Sequence, residues 1–163
     1  ILTGGEPTLY SNLKETIKAI KELGYFVKLD TNGTNPEMLK ELIAEHLIDY
    51  CAMDIKNSKE RYMVTCGNIV VNMEKIQRSI DLLKENHIPF EFRTTIIKEY
   101  HTKESLISMA KWIGCVDKFF LQKFVDHGTC LNEGLHEVNI MDAKDALKEM
   151  KEIIPNIKLR GYE

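Results

Sequence analysis

Apolar and polar positions along the chain alternate between two periods, short runs of about 2 and longer stretches of about 3.6, which is the signature of strands exchanging with amphipathic helices. Ile1–Thr3 is the stub of a strand broken by Gly4-Gly5. Asn12 with Glu15 has the spacing of a capping box, and Leu13, Ile17, Ile20 and Leu23 follow at helical intervals until Gly24. Tyr25–Asp30 is the next expected strand, ending at Asn32-Gly33. Asn35-Pro36 opens a helix through about Glu45, Ile48–Ile55 is a strand, Lys56–Val71 a long loop, and Asn72–Asn86 a helix. Phe90–Ile97 and Lys118–Val125 are expected strands on either side of a helix capped by Thr102 and ending at Gly114. Asp126–Met141 has loop composition, Asp142 is the expected cap of a last helix, and Ile157–Arg160 a final strand.

Strands separated by helices in this way imply right-handed βαβ units and a parallel sheet in a single α/β domain over residues 1–163. Polar residues gather at the strand ends: Gly4-Gly5-Glu6, Asp30-Thr31-Asn32-Gly33, Asp54-Lys56 and Arg93. In parallel α/β architectures ligands bind at that rim, where the loops after the strands converge.

Composition narrows the function classes. With 22 basic and 25 acidic side chains the net charge is −3, which argues against general nucleic-acid binding and against a polybasic membrane patch. No apolar run is long enough to span a bilayer, and the expected location is the cytoplasm. Cys51, Cys66, Cys115 and Cys130 are too dispersed for a local metal knuckle and read as incidental thiols of a reducing compartment. His101, His127 and His136 read as solvated loop residues.

The string Ile1-Leu2-Thr3-Gly4-Gly5-Glu6-Pro7-Thr8-Leu9 carries the most specific chemistry. Glycines let a backbone approach a ligand closely, their carbonyls can accept from an ammonium group, Glu6 adds a charged acceptor and Pro7 stiffens the turn. Asp54 is a carboxylate acceptor at a strand end, and Lys56 and Arg93 are cationic donors at strand ends.

Together with Asp30-Thr31-Asn32-Gly33, Met53-Asp54-Ile55-Lys56, Phe92-Arg93-Thr94-Thr95 and Phe120-Leu121-Gln122-Lys123-Phe124, this string resembles the radical SAM superfamily, and within it the activators of glycyl-radical enzymes. The resemblance implies a partial (β/α)6 TIM-like barrel with parallel strands, its first βα unit missing. It implies S-adenosylmethionine and a [4Fe–4S] cluster as cofactors. The cluster's C-x3-C-x2-C ligands are expected upstream of residue 1, so the chain is expected to be N-terminally truncated and inactive alone. Gly4, Gly5, Glu6 and Pro7 would hold the methionyl amino group, Asp54, Lys56 and Arg93 the ribose and carboxylate, Asp30 and Thr31 would lie near that carboxylate, and Gln122 near the adenine. In the whole enzyme, an electron from the cluster would split the sulfonium, and the resulting 5′-deoxyadenosyl radical would abstract hydrogen from a glycine of a partner.

The implied partner is anaerobic ribonucleotide reductase, with a flavodoxin or ferredoxin as electron donor. Pyruvate formate-lyase activation, or a small-molecule reaction such as deazapurine synthesis, is the alternative within the superfamily. A non-catalytic barrel remnant acting as a binding domain is the alternative of another class. The truncated Ile1–Thr3 edge is expected to be unpaired and to drive association.

Overall fold

The computed structural model describes residues 1–85, 87–126, 128 and 133–162. Among these residues five strands, β1 (Lys28–Thr31), β2 (Tyr50–Asp54), β3 (Phe90–Ile96), β4 (Phe119–Lys123) and β5 (Lys158–Arg160), form one parallel sheet in the order β1-β2-β3-β4-β5. They alternate with helices α1 (Leu13–Glu22), α2 (Pro36–Ala44), α4 (Met73–Lys84), α5 (Lys103–Ile113) and α6 (Ile140–Met150), and a short α3 (Tyr62–Thr65) follows β2. This is the expected partial TIM-like α/β architecture. No helix among the described residues is long and apolar enough to cross a membrane.

The chain divides into two units, and the division falls inside β3. The first comprises Ile1–Asp54 with Asn72–Phe92. In it β1 and β2 pair with Leu29 opposite Cys51 and Thr31 opposite Met53, so these four buried side chains share one face. That apolar face is completed by helical residues at the expected intervals, including Ile17 of α1, Leu39 and Leu42 of α2, and Ile76, Ile80 and Leu83 of α4. The opposite face carries Lys28, Asp30, Tyr50, Ala52 and Asp54.

The second unit comprises Ile55–Val71 with Arg93–Glu163. β4 and β5 pair in parallel, Gln122 lying opposite Arg160, and α5 packs on α6. Met109, Ile113, Phe119, Leu121, Ala143, Met150 and Ile157 make its core.

Several sequence expectations shift at their ends. The strand expected over Tyr25–Asp30 begins only at Lys28, and Tyr25 and Phe26 are 66% and 86% exposed. Val27 is held chiefly by Asp49: its N–H donates to Asp49 Oδ2 at 2.7 Å, and its carbonyl accepts from the N–H groups of Asp49 at 2.8 Å and Tyr50 at 3.3 Å. The Asn12–Glu15 capping box does not form, because Asn12 lies at φ −96° and ψ 13°, outside the extended conformation that aims a cap side chain at the first turn. Thr16 Oγ1 donates to the Asn12 carbonyl instead.

Asn139, not Asp142, caps α6, its side chain accepting from the N–H groups of Met141 and Asp142. The Lys56–Val71 loop contains a 3-10 turn (Lys59–Arg61) and α3, built on the fully buried Asn57. The Ile1–Thr3 segment pairs along one side: Leu2 bridges Leu29 in parallel, donating to Lys28 O and accepting from Asp30 N–H, and Ile1 is exposed. Thr102 and Gly114 bound α5 as expected, the Thr102 and Ser105 side chains capping each other's backbone N–H.

Candidate functional site

In the first unit the Leu2 bridge runs parallel to β1, so the Gly4-Gly5-Glu6-Pro7 turn leaves at the same strand end as Asp30 and Thr31. Gly4 has φ +128°, which favours glycine, and a Cβ there would meet nothing within 4 Å; the requirement is conformational, and space beside the backbone stays open. Both glycines are exposed, whereas Pro7 and Thr8 are buried in a 3-10 turn over Pro7–Leu9.

Glu6 holds this turn to the end of β1. Its Oε1 accepts from Thr8 N–H at 3.1 Å, Thr8 Oγ1 at 2.6 Å and Thr31 Oγ1 at 2.7 Å. Its Oε2 accepts from Asn32 N–H at 2.6 Å. Thr31 Oγ1 in turn receives Gly33 N–H. The Gly33 turn is tied down further, since Ser79 Oγ of α4 donates to Gly33 O at 2.8 Å and a Cβ on Gly33 would lie 2.1 Å from Met53 Cε. Asn35 Nδ2 donates to Thr8 O, joining the start of α2 to the same turn.

The polar face of β1 and β2 holds more than the sequence nominated. Lys28 Nζ lies 3.7 Å from Asp30 Oδ1 and 3.5 Å from Oε1 of Glu91, which is 5% exposed. Tyr50 donates its hydroxyl proton to Glu91 Oε2 at 3.1 Å, and Lys28 Nζ sits 5.4 Å from the Tyr50 ring centroid. Asp54 ends β2 on the same face. Lys28 and Glu91 were detectable in principle, because a charge at alternate positions inside a parallel strand departs from the continuous apolar run such strands usually show.

In the second unit Ile55 N–H donates to Arg93 O at 2.9 Å and Thr94 Oγ1 donates to Ile55 O at 2.7 Å, which sets the backbone carrying Lys56 beside that carrying Arg93. Gln122 lies on β4 next to Arg160, whose guanidinium stands 3.7 Å over the Phe120 ring.

Here the reading of His101 is overturned. It is buried, not solvated, and its ring Nε2 lies 2.8 Å from the carbonyl oxygen of Lys56. A carbonyl only accepts, so Nε2 carries the proton and Nδ1 accepts Ile97 N–H at 3.0 Å. Burial pushes the His101 pKa down, and the nearby Arg61 guanidinium pushes the same way against the two backbone carbonyls. Asn57 Nδ2 donates to Thr65 Oγ1 and to Tyr100 O, and Arg61 Nε donates to the same Tyr100 carbonyl at 3.1 Å. His136 is an exposed loop residue, its Nδ1 2.7 Å from Glu99 Oε1; His127 lies outside the described residues.

The chemistry of these groups fits parts of a zwitterionic nucleoside ligand. The first unit presents open glycine backbone and carboxylates suited to an ammonium group and hydroxyls; the second presents the cations of Lys56 and Arg93 suited to a carboxylate. An iron–sulfur cluster is not fitted. Among the described residues no three Cys, His, Asp or Glu side chains gather into a metal site. Cys51 is buried, Cys115 is exposed, burial raises the Cys66 pKa, and Cys130 lies outside the described residues.

Comparison with known proteins gives the following. Residues 1–113 match the profile of the Radical SAM superfamily. A Methanocaldococcus jannaschii protein provisionally named a glycyl-radical enzyme activating enzyme is 39% identical over 130 residues, covering 76% of this chain and 53% of that protein. A second protein of the same organism and provisional name is 27% identical over 173 residues, covering 100% of this chain and 65% of its own length. The chain thus spans between half and two thirds of the length of these relatives. The crystal structure of a domain of pyruvate-formate lyase-activating enzyme from Bacteroides vulgatus superposes with a TM-score of 0.76 at 16% identity, covering 98% of this chain and 97% of that one, a likeness of fold.

Proposed function

The chain belongs to the radical SAM superfamily, and from that premise we propose that it is the ligand-positioning part of an enzyme that activates a glycyl-radical partner, anaerobic ribonucleotide reductase. The reductase as partner rests on the resemblance of Asp54–Tyr62 and Phe92–Thr95 to the activators of that enzyme; the observation that carries the activator part of the reading is the 39% identity over 130 residues with the Methanocaldococcus jannaschii protein. It is supported by the order of the strand-end motifs, from Gly4-Gly5-Glu6-Pro7 to Gln122.

S-adenosylmethionine, when bound, supplies the radical chemistry of the superfamily, and the residues of this chain bind and orient it. In the first unit the Gly4 and Gly5 carbonyls accept from the amino group. Glu6 fixes their turn to β1, and its Oε2, with one donor from Asn32, has a lone pair left for the same ammonium. Pro7 sets the turn, Asp54 accepts from the ribose hydroxyls, and Asp30 and Thr31 stand near the carboxylate. In the second unit Lys56 and Arg93 take the carboxylate or ribose oxygens, and Gln122 takes the adenine.

The test uses the whole enzyme, cluster-loaded under anaerobic conditions, mixed with S-adenosylmethionine, a low-potential reductant and the anaerobic ribonucleotide reductase of the same organism. An electron paramagnetic resonance doublet of a glycyl radical on the reductase is the expected result. The same signal on pyruvate formate-lyase alone would reassign the partner. Release of 5′-deoxyadenosine with no glycyl radical on either protein would overturn the activator reading.

A further inference from the structure

We propose that His101 is a positioning residue for Lys56: it fixes the backbone from which the Lys56 ammonium reaches the ligand carboxylate. The inference rests on the reading of Lys56 as a ligand-binding residue. Its ground is the direct bond from His101 Nε2–H to the Lys56 carbonyl, 2.8 Å long and 45 residues apart in the chain.

The imidazole is held at both ends. Nδ1 takes Ile97 N–H at the end of β3, and the His101 backbone N–H donates to Ile97 O at 2.9 Å. The ring therefore bridges the residue just past β3 to the second residue after β2. Beyond that bridge, Asn57 orders the next residues: its Oδ1 accepts Ser58 N–H at 2.8 Å and its Nδ2 reaches Tyr100 O, next to His101 in the chain. Lys56 thus lies between two backbone anchors. A long, flexible lysine side chain is an imprecise ligand group unless its own backbone is fixed, since each loosely held rotatable bond adds entropy to be lost on binding. The bridge needs a group that donates at one end and accepts at the other at a separation set by a five-membered ring, which only the neutral imidazole supplies at full reach.

Two amide substitutions separate the ends. Asn at position 101 keeps an acceptor near the Nδ1 position but falls short of Lys56 O; Gln keeps a donor near the Nε2 position. The experiment measures the Kd of S-adenosylmethionine for the cluster-loaded whole enzyme by calorimetry, for Lys56→Met, His101→Asn, His101→Gln and the double variant Lys56→Met/His101→Asn. Lys56→Met is expected to raise Kd roughly 10-fold to 100-fold, the range for a lost charge-assisted hydrogen bond. His101→Asn is expected to raise it about 3-fold to 10-fold, His101→Gln less than about twofold, and His101→Asn to add nothing once Lys56 is Met. Hydrogen exchange in the ligand-free protein gives a second readout: faster exchange at Asn57 and Ser58 in His101→Asn, restored in His101→Gln, with α5 unchanged.

An unaltered Kd in Lys56→Met would refute the ligand role of Lys56 and this inference with it. A weakened Lys56→Met beside an unaffected His101→Asn would refute the inference alone. Full additivity in the double variant, or loss of protection throughout α5 in both His101 variants, would make His101 a packing residue and likewise overturn the assignment.

Discussion

The two units fasten their strand-end loops by different chemistry. In the first, the anchor is the Glu6 carboxylate, which reaches 25 and 26 residues along the chain to Thr31 and Asn32 while belonging to the same short string as the candidate ligand turn. In the second, the anchors are neutral: the His101 imidazole on Lys56 and the Asn57 amide on Tyr100, spanning 45 and 43 residues. The first unit therefore combines anchor and binding turn in one contiguous motif, and the second separates them. A contiguous motif constrains every member at once, whereas a divided one lets the anchor be altered without touching a ligand contact.

The comparison can be strained most severely at Gly33. Gly33→Ala puts a Cβ into Met53 at φ +75° and is expected to destabilise the first unit by about 2–4 kcal/mol, read as a lowered urea midpoint; an unchanged midpoint would mean the turn is not held as described. Next come the two anchors themselves. Glu6→Gln turns one oxygen into a donor against a donor, and Asn57→Ala strips a buried amide from Thr65 and Tyr100; each is expected to cost about 1–3 kcal/mol, with faster hydrogen exchange confined to its own unit. Exchange that spreads evenly through both units in either variant would dissolve the contrast.

Acid separates the anchors more gently. The folded His101 pKa lies below its ordinary 6.5, so the unfolded chain takes up the proton first. The stability contributed by the neutral ring is whole above about pH 6.5 and is lost as pH falls from there through the folded value. Calorimetric melting from pH 7.5 downward should show the second unit weakening over that window, and His101→Asn should remove that component. The smallest effect is expected at Lys14, which pairs with Glu41 and Glu45 on the surface of the first unit. Lys14→Met should leave the urea midpoint unchanged within error.

The distribution of anchors also explains what the sequence disclosed. Helix starts such as Asn35-Pro36, Asn72 and Thr102 were legible because cap and helix are adjacent, and their side chains do accept the first-turn N–H groups. The Gly4-Gly5-Glu6-Pro7 turn was legible for the same reason. Tyr25 and Phe26 misled, since an apolar run before a strand looks like the strand; what holds Val27 is Asp49, 22 residues on. His101 gave no local signal at all, because its partners are backbone atoms of Ile97 and Lys56 and no side-chain pattern records them. The order inside 56–71 was hidden likewise, resting on a buried Asn57 that by type belongs in turns.

The close approach of Met53 to Gly33 has a consequence on the time scale of lineages. A side chain at position 33 would have to displace the Met53 Cε methyl and also hold φ +75°, so a smaller residue at position 53 removes the first obstacle and leaves the second. In an assembled set of relatives position 33 should therefore stay glycine even where position 53 changes in size.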